Sequence, residues 1–139
     1  MTADDRKATD EQLKKIDEYR ESYRDLVGFV PPRIASRMAR LSELDPDFLI
    51  AQEEVRRQAM YPEALDQKTV QLILFAVLAV NVRDAAKLHG LAARRAGASW
   101  EELQATLNLA FLFGGLSVSN VGAHVLEEIA ELEAKGEYS

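Results

Sequence analysis

The chain has 139 residues, 47% apolar and 29% charged, a globular balance of the size of one domain. It carries no cysteine, which excludes disulfides, thiolate metal sites and thiol redox chemistry. Its net charge of −6 argues against nucleic acid, whose binders present basic patches, and the acidic, polar start MTADDRKATDEQ has no apolar leader, so a cytoplasmic location is expected.

Met1–Ala8 reads as a frayed polar lead. Thr9 and Gln12 form the T-x-x-Q pattern of a capping box, opening a helix that Gly28 stops. Leu13, Ile16, Tyr19, Tyr23 and Leu26 follow at spacings of three and four, a narrow apolar seam on a charged arm. Val30-Pro31-Pro32 starts a second helix with Ile34, Met38 and Leu41 inward, because proline is tolerated in a first turn. Asp45 caps a third helix at Pro46, with Phe48, Gln52, Val55 and Ala59 on one side. Tyr61-Pro62 ends it, since proline drives the preceding residue out of helical geometry.

Asp66 caps the next helix, in which every residue from Leu72 to Val80 is apolar. A helix that is apolar all round is expected to be buried on every side, and nine such residues fall far short of the roughly 20 that span a membrane. Asn81–Asp84 is a polar break, and the following helix puts Ala85, Leu88, His89, Ala92 and Ala96 on one face before Gly97 ends it. Ser99 and Glu102 make a second capping box, opening a helix through Phe113. Gly114-Gly115 breaks the chain, and a last helix turns Val118, Val121, Val125, Ile129 and Leu132 inward before a polar tail from Glu133. No stretch alternates apolar and polar residues long enough for a strand. The expectation is a single all-α domain over residues 1–139, with about seven helices around a central hairpin and an N-terminal arm at 1–28.

Few residues offer chemistry. His89, on the apolar stripe just after the break, is either a hydrogen-bonded core histidine or a general acid/base, since imidazole changes charge near neutral pH. Ser117, Asn120 and His124 share one face of the last helix, which is a solvated stripe, a subunit contact or a pocket wall opposite His89. Arg83 and Lys87 flank the break as surface charges or as anchors for a substrate carboxylate. The run Glu127–Glu133 is a solvated face. Two distant histidines without ligand spacing make no metal site, no cofactor-binding loop is present, and the serines lack a nucleophile elbow.

Taken together, LDQKTVQLILFAVLAV, KLHGLAARRAGASWEEL and FLFGGLSVSN resemble the carboxymuconolactone decarboxylase family, which includes AhpD-like alkylhydroperoxidases. The likeness covers about 65–120, and Pro46–Met60 fits it more loosely. The peroxidase branch carries C-x-x-C where this chain has Val82-Arg83-Asp84-Ala85, so thiol peroxidase chemistry is impossible. The acidic relay residue of the family stands here as Gln71.

The resemblance therefore implies the cysteine-free decarboxylase branch, an AhpD-like fold and a homo-oligomer, trimer or hexamer, with a place in aromatic catabolism. It implies a lyase for a small carboxylated lactone or related ring acid. His89 would move the proton, Gln71 would orient it or bind substrate, and Arg83 would anchor a carboxylate, with Asn120 and His124 on the opposite wall. Another proton-transfer enzyme on the same scaffold, an isomerase or eliminase, and a non-catalytic oligomeric ligand-binding protein are the alternatives. The expected partner is a small carboxylate, with no nucleic acid, membrane, metal or cofactor.

Overall fold

A computed structural model describes residues 8–135. Among them run seven helices and no strand: α1 (Asp10–Val27), α2 (Pro32–Leu44), α3 (Pro46–Met60), α4 (Gln67–Val80), α5 (Ala86–Arg95), α6 (Trp100–Gly114) and α7 (Leu116–Lys135). The chain is all-α, as its periodicity predicts. The helices form two compact units, α1–α3 up to Tyr61 and α4–α7 from Pro62. Residues 1–7 of the polar lead and 136–139 of the tail lie outside the described residues.

In the first unit the caps follow the sequence reading. Thr9 and Gln12 close a reciprocal capping box, and Gly28 takes the left-handed conformation at φ 90° that ends α1. Pro46 opens α3 while the Asp45 carboxylate accepts from the Phe48 N–H. The buried stripe of α1 is Ile16, Tyr19, Tyr23 and Val27, packed with Met38 and Leu49. Leu13 is exposed and Leu26 half-buried, because at 100° per residue they stand at the two margins of that stripe. Ile34 and Leu41 lie partly buried against the same core.

On α3 the expected face is wrong. Pro46, Leu49, Glu53 and Met60 point inward, whereas Phe48 and Val55 are exposed. Periodicity failed here because the inward side carries a glutamate, which apolar counting assigns to solvent.

In the second unit α4 packs on α5, α6 and α7, burying Val70, Gln71, Phe75 and Ala79. Burial of α4 on all sides is not observed: Ile73, Val77 and Val80 are 40–50% exposed. Three neighbouring helices do not enclose α4, so one stripe of it remains uncovered.

The inward face of α5 also differs from expectation. It consists of Ala86, Gly90, Leu91, Ala92 and Ala93, while Ala96 is exposed and Ala85, Leu88 and His89 are half-buried. The close approach occurs at Gly90, where an added Cβ would meet Ile129 and Phe75. That rotates the helix and leaves His89 at the margin of its packed side. On α7, Val118, Val125 and Ile129 are buried, with Val121 and Leu132 half-buried.

α4 and α5 end in the same way. At α5 the Gly97 N–H bonds the Arg94 carbonyl and the Ala98 N–H bonds Ala93, with Gly97 at φ 102°. At α4 the Val82 N–H bonds Ala79 and the Arg83 N–H bonds Leu78, with Val82 at φ 52°. Both are Schellman motifs, whose left-handed position favours glycine. A β-branched residue there crowds its own backbone and is strained by about 1–2 kcal/mol. Val82→Gly is expected to stabilise the protein by up to ~1 kcal/mol after glycine's entropic cost. Urea unfolding should show a higher midpoint with an unchanged slope.

Candidate functional site

The α4–α5 hairpin brings two polar side chains together inside an apolar unit. Gln71 is fully buried, and its Oε1 lies 2.7 Å from Nδ1 of His89. The Gln71 amide nitrogen faces the Gln67 Oε1 at 3.4 Å, with its oxygen toward the histidine. An amide oxygen only accepts, so Nδ1 carries the hydrogen and Nε2 is the basic nitrogen of the neutral ring. The hairpin therefore holds a half-buried imidazole in one tautomer. A carboxylate in place of Gln71 would add a charge beside the ring; the amide oxygen holds the Nδ1–H without adding one.

The other candidates occupy the rim of the same unit. Arg83 is exposed in the break, with its backbone N–H closing α4. Asn120 and His124 are exposed on α7. His124 pairs with Glu128 at 3.6 Å, and Glu128 also takes Lys87 at 3.3 Å, so Lys87 joins α5 to α7. Caps hold the ends of the hairpin and of α6. The Asp66 carboxyl accepts from the Thr69 N–H, and its pKa is lowered by hydrogen bonding to Thr69. That of Glu102 is lowered chiefly by Lys68, 3.0 Å away. Among the described residues no three His, Asp or Glu side chains gather as a metal site. No described helix is long and apolar enough to cross a membrane.

The sequence model of the carboxymuconolactone decarboxylase family matches residues 46–128, from the start of α3 into α7. The chain belongs to the carboxymuconolactone decarboxylase family. Its structure is similar to that of a protein from Burkholderia xenovorans LB400 provisionally assigned as a carboxymuconolactone decarboxylase, with a TM-score of 0.68. The two are 22% identical over 89% of this chain and 98% of that one, a likeness that speaks for the fold alone. Comparison with curated protein sequences gives no match.

Within the family segment, sequence reasoning missed Glu53. Its side chain is buried to 1% exposure on α3, and Oε1 accepts from the Tyr23 hydroxyl at 2.8 Å and from Arg37 at 2.6 Å. Arg37 also donates to Gln52. Neighbouring Tyr19 donates to Glu54, which lowers the Glu54 pKa, and burial raises that of Tyr19. The available signal was the pair of tyrosines on the α1 seam, since a buried phenol needs an acceptor.

Burial, with the neighbouring carboxylate, pushes the Tyr23 phenol up to about 12 from its ordinary 10.0. Folding thus favours the neutral phenol. The resulting stability is complete below about pH 10 and is lost as pH rises toward about 12, by roughly 2–3 kcal/mol. Tyr23→Phe should flatten that alkaline limb in denaturation melts taken at successive pH values, with the share of Tyr19 retained.

Proposed function

We propose that the chain is a decarboxylase-like lyase acting on a small carboxylated lactone or related ring acid, with His89 as its acid/base. The observation that carries this reading is the 2.7 Å contact between Gln71 and Nδ1 of His89, which presents Nε2 as the basic nitrogen. Loss of carboxylate as carbon dioxide leaves an electron pair on carbon; Nε2 takes a proton from solvent, gives it to that carbon, and the ring returns to its neutral Nδ1–H form. Gln71 is a positioning residue: it fixes the tautomer and stabilises the ring that gives and regains the proton. Arg83 is the candidate anchor for the substrate carboxylate, with Asn120 and His124 as further contacts.

The test is carbon dioxide release from 4-carboxymuconolactone by the wild-type chain and by His89→Gln. We expect turnover that falls by about 10²–10⁴-fold in the variant, the usual contribution of a positioned acid/base. Turnover unchanged in the variant would remove His89 from the mechanism. No turnover by either protein would reject this substrate and favour a proton-transfer reaction without decarboxylation, or ligand binding.

The same reading includes a homo-oligomer. The uncovered α4 stripe ends at Val80, whose Cγ2 lies 3.6 Å from a Cβ built on Gly114 at the α6–α7 corner. At that corner Leu112, Phe113 and Leu116 are 67, 97 and 73% exposed. An apolar patch of this kind, beside the stripe, supports a protein contact at this corner. Phe113→Glu with Leu116→Lys should reduce the assembly seen by light scattering to monomers. An assembly unaffected by both charges would place the contact elsewhere.

A further inference from the structure

Glu53 is among the residues that line a cleft of ≈ 490 Å³ between α2 and α3, with Arg37, Phe48, Ala51, Gln52, Val55 and Arg56. Its Oε1 is saturated by Tyr23 and Arg37, but its buried Oε2 has no hydrogen-bond partner among the described residues. Arg56 stands 3.9 Å from that oxygen, too far for a hydrogen bond, and is held with its guanidinium 4.0 Å above the Tyr23 ring. The lining therefore sets two guanidinium groups against one carboxylate. It pairs a buried acceptor with a nearby cation, and its lips are the exposed side chains of Phe48 and Val55.

We propose that this cleft binds a small 2-hydroxy carboxylate bearing an apolar substituent. The surplus positive charge calls for an anion, and Arg56 matches a carboxylate. The unpartnered Oε2 calls for a donor, and a hydroxyl on the adjacent carbon supplies one. In such an acid the hydroxyl and the nearer carboxylate oxygen stand roughly one hydrogen-bond length apart, ~2.7 Å. The 3.9 Å between Oε2 and Arg56 Nη1 is then closed by three links of similar length: Oε2 to hydroxyl, hydroxyl to carboxylate, carboxylate to guanidinium. A carboxylate alone leaves Oε2 unsatisfied, and an amine would add charge beside Arg56. The apolar substituent lies on Phe48 and Val55. This site is built wholly within the α1–α3 unit, and the Gln71–His89 pair wholly within the α4–α7 unit.

Calorimetric titration of the full chain with mandelate tests it, with phenylacetate (no hydroxyl) and 1-phenylethane-1,2-diol (no carboxylate) as comparators. Mandelate should bind at least tenfold more tightly than either. Arg56→Gln should weaken it at least tenfold, and His89→Gln should leave it unchanged. Val55→Glu, a change at an exposed lip, should also weaken it and serves if Arg56→Gln does not fold. Amide shifts in the nuclear magnetic resonance spectrum should cluster at residues 37 and 48–56. Absence of mandelate binding at tens of millimolar would overturn the proposal. So would equal binding of phenylacetate, equal binding by the variants, shifts centred on His89, or a self-association through Phe48 and Val55 that excludes the ligand.

Discussion

Arg37→Leu is expected to destabilise the protein by about 3 kcal/mol, seen as a lower urea midpoint at neutral pH. Glu53 is buried to 1% exposure, and Arg37 Nη2 reaches its Oε1 at 2.6 Å, the shorter of two hydrogen bonds on that oxygen. Removing the guanidinium leaves the buried carboxylate with Tyr23 alone and Arg56 at 3.9 Å. Breaking a buried pair typically costs 3–5 kcal/mol because the abandoned ion keeps its desolvation penalty. The low end applies, because the Arg37 side chain is itself about a third exposed (32%) and screened. The two sites are in contact, so their effects should not add. Arg37→Leu with Glu53→Leu removes both ions, and should recover about 1–2 kcal/mol relative to Arg37→Leu alone. If the double variant were the less stable by the sum of the single losses, the pair would be acting through packing rather than charge.

The behaviour of Glu53 also marks where the sequence stops being legible. Helix ends could be read because caps are local chemistry. Thr9 with Gln12, Asp45 before Pro46, Asp66, Ser99 with Glu102, and Gly97 all act where the sequence places them. Helix faces were harder, because inwardness is set by neighbours. α3 turns a glutamate inward since Arg37 and Tyr23, 16 and 30 positions away, neutralise and hydrogen-bond it. From Leu72 to Val80 α4 is apolar on every side, yet Ile73 and Val77 stay exposed, because composition does not say whether the last face meets the same chain or another. Within the candidate site, His89 stood out as a lone imidazole on an apolar stripe. Its contact with Gln71 spans 18 residues, and depends on how far α5 is rotated at Gly90.

That rotation yields the other large expectation. Gly90→Val should cost about 3 kcal/mol or more, whereas Gly90→Ala should cost nearer 1 kcal/mol. A Cβ at residue 90 would lie 2.3 Å from Ile129 Cδ1 and 3.1 Å from the Phe75 ring, and both of these side chains are 0% exposed. For alanine the contact is the tip of a flexible isoleucine, which can rotate by shifting its own neighbours. The substitution also gains about 0.8–1.0 kcal/mol of helix propensity, offsetting part of the strain. Valine adds two methyl groups against Phe75 as well, and its χ1 has one strongly preferred setting in a helix, so the helices must move apart. Separation of α5 from α4 would lengthen the Gln71–His89 contact along with the packing. Gly90→Val therefore offers a cleaner readout than stability alone. If the imidazole acts through the tautomer that Gln71 imposes, a fold retained by circular dichroism should be accompanied by a shifted His89 ring resonance and a lowered kcat. An unchanged His89 resonance in a folded Gly90→Val would mean that the close approach of α4, α5 and α7 serves the core only.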